Sequence, residues 1–289
     1  SAWQQTPGID CLMNQYREDT HAQFGNVRMV KEVTSLCNQL GRKRHLCEIY
    51  GAGGWDLRFE DMKRIGDWLE VLGVNLLDEH LSYITLRGAR KADHPQSFSY
   101  HEPWWPDYHV IAQYFTRMSA VMSHGRQVNR ILVLEPTTTA WLYQLDSSQA
   151  KRLGEIGKEF FDFLVALERA QVEYDLGCED VIARHGRNND AASETSLRLG
   201  EAAYDLVVLP PGTETLRSTT VQWLAPWIAR GGKVISCVAA PNLVDARPSP
   251  EVERLAKSAG WTKAEAAVAA EQLARASAAY GLKIQRAKN

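Results

Sequence analysis

The sequence predicts an α/β fold in which parallel sheets are covered by helices. Short apolar runs alternate with longer segments whose apolar residues recur at helical spacing, and this alternation is typical of βαβ units. One run, residues 130–135, is apolar throughout its interior, as expected of a parallel strand buried on both faces. The 289 residues, 45% of them hydrophobic, are enough for two domains with cores of their own.

The first half contains three predicted strands, each followed by a predicted helix. The strands are expected at residues 8–13, 45–50 and 75–83. The helices are expected at residues 30–40, 59–73 and 108–123, and Gly41 is a typical stop signal after the first of them. A polar, glycine-containing stretch at 124–129 is expected to separate the two halves.

The second half has the pattern of a doubly wound, flavodoxin-like sheet. Strands are predicted at residues 130–135, 172–176, 204–211 and 233–238, and helices at 149–170 and 221–229. The pattern weakens beyond residue 241, and residues 263–280 form an Ala-rich segment expected to be a surface or terminal helix. The predicted domains are therefore 1–125, 126–248 and a helical tail at 249–289.

Charge and cysteine content exclude several classes of partner. Lys and Arg number 33 against 35 Asp and Glu, so the chain lacks the basic excess of a protein that binds nucleic acid by charge. No run of about 18 apolar residues is present, so no membrane-spanning helix is expected. The five cysteines include no CxxC pair, so we expect no zinc site. They are expected to be free thiols in a reducing compartment or in an oligomer without disulfides. The localisation stays open.

Glu48 is the first candidate for chemistry. It lies at the end of an apolar strand and is followed by a glycine-rich loop and Trp55. Catalytic groups of α/β barrels lie at the carboxyl ends of their strands. A carboxylate there, beside an aromatic ring that can stack on a sugar, suits glycoside chemistry. The alternative is a structural carboxylate that caps the loop.

The next strand ends in Asp78-Glu79-His80. Because neighbouring strand residues point to opposite faces, Asp78 and His80 share one face and Glu79 points to the other. His80 is predicted either to contact substrate or to hydrogen-bond a neighbouring carboxylate. Tyr83 lies on the same stretch.

The loop at residues 93–106 is unusually rich in His and aromatic side chains. It contains two His, Glu102 and four aromatic residues, among them two of the nine tryptophans of the chain. Two interpretations stay open: the loop lines a sugar subsite, or it packs one domain onto the other. The candidates for substrate contact are His101, Trp104 and Trp105.

The second half offers weaker candidates. Residues 135–141, Glu-Pro-Thr-Thr-Thr-Ala-Trp, follow the first strand of its sheet, where ligands of doubly wound folds bind. No GxGxxG, Walker or GxSxG motif is present, so a nucleotide site and a working amidotransferase are both disfavoured.

Three segments of the first half resemble the end of a glycoside hydrolase (β/α)8 barrel. They are residues 47–68 (CEIYGAGGWDLRFEDMKRIGDW), 73–83 (GVNLLDEHLSY) and 94–105 (HPQSFSYHEPWW). They are most similar to bacterial hydrolases grouped with the family 106 α-L-rhamnosidases. In family 42 β-galactosidases a barrel is likewise followed by a flavodoxin-like domain, which is related to glutamine amidotransferases but lacks their catalytic residues. The resemblance covers about residues 8–245.

The resemblance implies that residues 1–125 are the carboxyl-terminal portion of a barrel, strands six to eight. It implies that Glu48 is one catalytic carboxylate: a nucleophile in a retaining, galactosidase-like enzyme, or an acid or base in an inverting, rhamnosidase-like one. Glu79 and Cys47 depart from the residues expected there, Gln and Ser. No cofactor is expected, and calcium is implied by the rhamnosidase resemblance alone. The residues expected to bind the carbohydrate substrate are His80, Trp55, Tyr83, His101, Trp104 and Trp105.

The partner of Glu48 has no counterpart in this sequence. Glycosidases use two carboxyl groups, and in such barrels the second lies on the fourth strand. We therefore expect a fragment of a glycoside hydrolase, whose activity on its own the sequence does not establish. A non-catalytic carbohydrate-binding or assembly module is the alternative.

An incomplete barrel leaves an unpaired strand edge and an uncovered inner face. The sequence offers two ways to cover this surface. One is a second copy of the chain, as in a homo-oligomer, and the other is the Ala-rich C-terminal helix.

Overall fold

The computed structural model describes residues 3–92, 96–187 and 195–278. The first three residues of the aromatic loop, 93–95, and the end of the predicted tail, 279–289, lie outside the described residues. The chain divides into two compact units, with the break after Gln127 and with residues 38–40 grouping with the second unit. Within the described ranges, no helix is both long and apolar enough to cross a bilayer.

The first unit is built around a parallel sheet of three strands in chain order. The strands are β1 (Gly8–Leu12), β2 (Leu46–Gly51) and β3 (Leu76–Glu79). The helices are α1 (Val27–Leu40), α2 (Phe59–Val71) and α3 (Tyr108–Met122). The strand predicted at 75–83 is shorter in the structure, because the chain beyond Glu79 leaves the sheet.

Local sequence determines where α1 begins and ends. The Asn26 side chain accepts a hydrogen bond from the backbone N–H of Met29 at 3.2 Å, which satisfies one of the unpaired N–H groups of the first turn. At the other end Gly41 has a φ of 65°, a left-handed conformation that glycine adopts without steric cost. Gly41 therefore ends the helix, as the sequence predicts.

The two faces of the first sheet differ in composition. Cys11, Cys47 and Ile49 alternate along their strands and are completely buried. Asp10 and Glu48 point to the opposite face and are at least partly exposed. The buried face holds the sheet to its helices, whereas the other face carries polar side chains.

Helices α2 and α3 approach each other most closely at Gly66. A Cβ atom at this position would lie 2.2 Å from a ring carbon of the buried Phe115. Only glycine therefore allows the ring to rest on the α2 backbone.

We expect Gly66→Ala to destabilise the first unit by about 1–3 kcal/mol, because overpacking outweighs the higher helix propensity of alanine. Urea unfolding measures the effect. The double variant Gly66→Ala/Phe115→Leu, which removes the obstructing ring atoms, should recover part of the loss. A single variant as stable as the wild type would contradict the close packing.

The second unit contains eleven strands and six helices in its described part. The strands are β4 (Ile131–Leu134), β5 (Asp175–Gly177), β6 (Gly186–Arg187), β7 (Leu197–Leu199), β8 (Ala202–Tyr204), β9 (Leu206–Leu209), β10 (Thr215–Leu216), β11 (Lys233–Ser236), β12 (Leu243–Val244), β13 (Arg247–Pro248) and β14 (Trp261–Lys263). The helices are α4 (Thr137–Gln144), α5 (Ala150–Arg169), α6 (Glu179–His185), α7 (Ser218–Ala229), α8 (Glu251–Leu255) and α9 (Ala266–Ser277).

Its main sheet has five parallel strands in the order β14-β11-β9-β4-β5. All four residues of β4 are buried, as expected of a central strand. Two further three-stranded sheets, β10-β12-β13 and β6-β7-β8, complete the unit. The predicted α/β class with parallel sheets is therefore confirmed.

The segment predicted as a helical tail, residues 249–289, contains a strand as well as helices in its described part. It contributes β14 to the edge of the main sheet, next to β11. The Ala-rich helix is α9, and it buries Ala269, Ala270 and Leu273. Small alanine side chains permit this close packing, so the helix belongs to the core of the second unit on one face.

Candidate active site

Three carboxylates form a row across the first sheet. In the parallel register, Asp10 of β1 is opposite Glu48 of β2, and Glu48 is opposite Asp78 of β3. Residues paired in this way point to the same face, and neighbouring strands are about 4.8 Å apart. The row lies close to the carboxyl ends of the strands, where the loops of parallel barrels build their active sites.

His80 joins this row directly after β3. Its Nδ1 atom lies 3.5 Å from Oε1 of Glu48. The side chain of Glu48 is 41% exposed and that of His80 is 26% exposed, so both are within reach of a ligand. The structure thus brings together the two residues that the sequence singled out at neighbouring strand ends.

The backbone of His80 is fixed from two sides. Its N–H donates to the carbonyl of Ile49 at 3.0 Å, and its own carbonyl accepts from Nε2 of Gln96 at 3.1 Å. Gln96 is completely buried. It begins the described part of the aromatic loop, so this loop positions the histidine. The sequence contained no signal for this role of Gln96.

Gly51 at the end of β2 makes room for the site. A Cβ atom there would lie 2.9 Å from Cδ2 of His80 and 2.7 Å from a methyl group of Leu12. Glycine at position 51 therefore leaves space for the imidazole, which a side chain there would displace together with Leu12.

Asp10 is electrostatically part of the site. Partial burial of its carboxyl group, followed by the negative charge of Glu48, raises the pKa of Asp10, whereas His80 lowers it. The sequence placed Asp10 on a strand but did not single it out. Alternation of faces along residues 8–13 is the signal that could have pointed to it.

Glu79 points away from the row, as alternation predicts. It accepts a hydrogen bond from the hydroxyl group of Tyr108 in α3. Burial, followed by the charge of Glu79, raises the pKa of Tyr108, so the phenol remains a proton donor. Glu79 therefore binds Tyr108 and is not available as a second catalytic carboxylate beside Glu48.

The candidate aromatic residues fall into two groups. Trp55 and Tyr83 lie with their ring centroids 6.3 Å apart, and Tyr83 is buried. Trp104 packs against Phe98 with a centroid distance of 5.4 Å, and also against Phe59 and Tyr108.

Trp105 is the more exposed of the two neighbouring tryptophans. Its ring stacks on Tyr108 at 5.5 Å and is 39% exposed. Of the predicted substrate contacts in the aromatic loop, Trp105 thus presents the largest free ring surface, whereas Trp104 mainly stabilises the loop.

A chain of hydroxyl groups shapes the loop around His101. Ser97 Oγ accepts from the N–H of Tyr83 and lies 2.9 Å from Ser99 Oγ, which in turn lies 2.9 Å from Nδ1 of His101. The buried Glu102 accepts from the N–H of Ser97 at 3.4 Å. The loop is a packed structure in which His101 has a defined partner.

The thiols of the second unit are poorly suited to nucleophilic chemistry. Cys237 follows β11, and burial, together with the charge of Glu265, raises its pKa to about 12. Burial also raises the pKa of Cys178. A thiol reacts as the thiolate, so neither residue has the environment of an activated nucleophile.

The described residues show no cluster of metal-ligating side chains. Across residues 3–92, 96–187 and 195–278, no three His, Cys, Asp or Glu side chains converge as metal ligands.

Comparison with known proteins shows the fold. Neither a protein family model nor a curated protein matches the chain. A rhamnosidase from Novosphingobium sp. PP1Y is similar with a TM-score of 0.57 at 16% identity, over 88% of this chain and 22% of that one. An apo exo-carrageenase of family GH42 from Bacteroides ovatus is similar with a TM-score of 0.52 at 11% identity, over 84% of this chain and 32% of that one. The chain therefore spans a third or less of these enzymes, and it has the fold of part of a glycoside hydrolase.

Proposed function

We propose that this chain forms part of a glycoside hydrolase of the α-L-rhamnosidase type and that Glu48 is one of its catalytic carboxylates. The observation that carries the proposal is the contact between Glu48 in β2 and His80, which directly follows the neighbouring parallel strand β3. The structural similarity to a rhamnosidase supports it. The substrate is then a carbohydrate.

The chemistry of Glu48 follows from its position. A partly exposed carboxylate can attack the anomeric carbon, or it can donate or accept the proton of the glycosidic oxygen or of water. His80 contributes a hydrogen-bonding group beside it, which suits the orientation of Glu48 or of a sugar hydroxyl. Trp55 and Trp105 offer ring faces on which a sugar can stack.

The second carboxylate of the reaction is proposed to lie outside this chain. Asp10 and Asp78 lie beside Glu48 on adjacent strands of the same sheet, whereas glycosidases need two carboxyl groups that flank the scissile bond. The chain alone is therefore expected to bind the sugar more readily than to cleave it.

We infer that the second unit is a flavodoxin-like domain. Counted along the chain, its main strands are adjacent in the order 2-1-3-4-5, which is the order of that fold. The unreactive environment of Cys237 supports a structural or binding role for it, without amidotransferase activity.

A non-catalytic carbohydrate-binding module is the second candidate. The packed aromatic loop with its exposed Trp105 favours it, because binding requires a ring surface but no second carboxylate. A β-galactosidase-like retaining enzyme remains the alternative within the hydrolases.

Hydrolysis of aryl α-L-rhamnosides and aryl β-D-galactosides by the complete gene product tests the proposal. We expect turnover of the rhamnosides and binding of the sugar by this chain alone. Turnover of galactosides only would favour the galactosidase-like alternative. Binding without any turnover by the complete product would exclude the hydrolase proposal and favour the binding module.

A further inference from the structure

Asp10 lies next to Glu48 without a role in the reaction described above. The two residues are register partners on β1 and β2, so their side chains leave the same face of the sheet. Residues of neighbouring parallel strands are about 4.8 Å apart, a separation at which two carboxylates repel each other when both are ionised.

The geometry around Gly51 brings Asp10 and His80 together as well. A Cβ atom at Gly51 would lie 3.7 Å from Oδ1 of Asp10 and 2.9 Å from Cδ2 of His80. Asp10 and Glu48 therefore both lie near the imidazole.

The charges near Asp10 come from several elements. Glu48 on β2 and Asp78 on β3 share its face, and His80 follows β3. Behind the sheet, Cys11 and Cys47 are completely buried. Burial and Glu48 act to keep a proton on Asp10, whereas His80 acts to remove it.

We propose that Asp10 is a positioning residue for Glu48: its carboxyl group lies beside Glu48 on the same face of the sheet, and its charge attracts the imidazole of His80 toward the pair. Asp10 thereby holds His80 against Glu48 without itself touching the reacting bond. This proposal rests on the proposed role of Glu48 in glycoside hydrolysis.

Carboxyl ¹³C NMR of the whole chain, with labelled aspartate, tests the coupling without need of activity. Asp10→Asn identifies the Asp10 resonance. We expect Glu48→Gln to lower the pKa of Asp10 and His80→Gln to raise it. Glu60→Gln, an exposed carboxylate of α2, is the matched control and should leave it unchanged. An Asp10 titration that is the same in the wild type and in Glu48→Gln would overturn the proposal.

The pH dependence of kcat/KM in the complete gene product gives the second measurement. Asp10→Asn removes a negative charge beside Glu48, so the whole pH profile should move to lower pH. Asp10→Glu should restore the profile, which a merely structural role would not require. A pH profile unmoved by Asp10→Asn would contradict the proposal. If no glycoside is hydrolysed, the proposed function fails, and the NMR titration still decides the role of Asp10.

Discussion

Replacement of Glu48 by Gln is expected to lower the hydrolysis of aryl glycosides by about 1000-fold in the complete gene product. The amide has nearly the shape of the carboxylate but can neither attack the anomeric carbon nor exchange a proton, and general acid–base catalysis contributes about 10²–10⁴-fold. The measurement is kcat/KM at the pH optimum.

The structure predicts that this loss is separable from folding. The Glu48 side chain is 41% exposed, and His80 is the ion-pair partner that the structure shows for it. Its replacement should change the free energy of unfolding by less than about 1 kcal/mol. Glu60→Gln is again the matched control and should retain activity. Wild-type rates in Glu48→Gln would refute its catalytic role, and the anomer formed first in the wild type, followed by ¹H NMR, separates retention from inversion.

The second large effect concerns stability and comes from Glu70 in α2. Its side chain is 1% exposed. Burial, followed by the negative charge of Asp67, raises its pKa to about 7, and Ser119 and Lys63 oppose this shift only in part. A carboxyl group in an unfolded chain titrates near 4.3.

The sign of the resulting pH dependence follows from proton binding. Between the two pKa values the folded chain holds a proton that the unfolded chain has released, so the free energy of unfolding decreases as the pH rises. The contribution is fully present below the unfolded pKa and is lost as the pH rises to about 7. The total loss is about 4 kcal/mol, at 1.36 kcal/mol per unit.

Glu70→Gln should remove this dependence. We expect the variant to gain about 3 kcal/mol on the wild type between pH 4 and pH 8. The free energy of unfolding is measured in urea at both pH values. The signal is the ¹⁹F NMR resonance of fluorotryptophan at Trp68, which lies in the same helix and therefore reports on the first unit alone. Glu60→Gln should show no such gain. If the free energies of unfolding of Glu70→Gln and the wild type differed by the same amount at both pH values, the burial of an uncompensated carboxyl group would be contradicted.

The sequence predicts the strands and helices well where one pattern dominates. The strand predicted at 130–135 and the helix predicted at 59–73 each appear in the structure within two residues of these bounds. The short strand Trp261–Lys263 escaped prediction because three residues carry no period, and its backbone pairing with β11 stabilises it. Such strands depend on tertiary contacts that local sequence does not contain.

Site residues could be predicted where the neighbouring sequence marked them, and were missed where their role depends on long-range contacts. Glu48 and His80 follow apolar runs, and strand ends are where parallel sheets carry chemistry. Asp10 lies in the middle of β1, and its importance arises from register with a strand 38 residues away in sequence. Gln96 acts through the backbone of His80, a contact between a loop and a strand end that no spacing rule indicates. Long-range register and loop packing thus limit what the sequence alone reveals.

The paired burial of Cys11 and Cys47 has a practical consequence. Thiol reagents can reach these side chains only when the helices separate from the first sheet, because both are completely buried on the side away from Glu48. Cys178 and Cys237 in the second unit are partly exposed. The rate at which Cys11 and Cys47 are alkylated would therefore measure how often the first unit opens, whereas Cys178 and Cys237 can react without opening of the second unit.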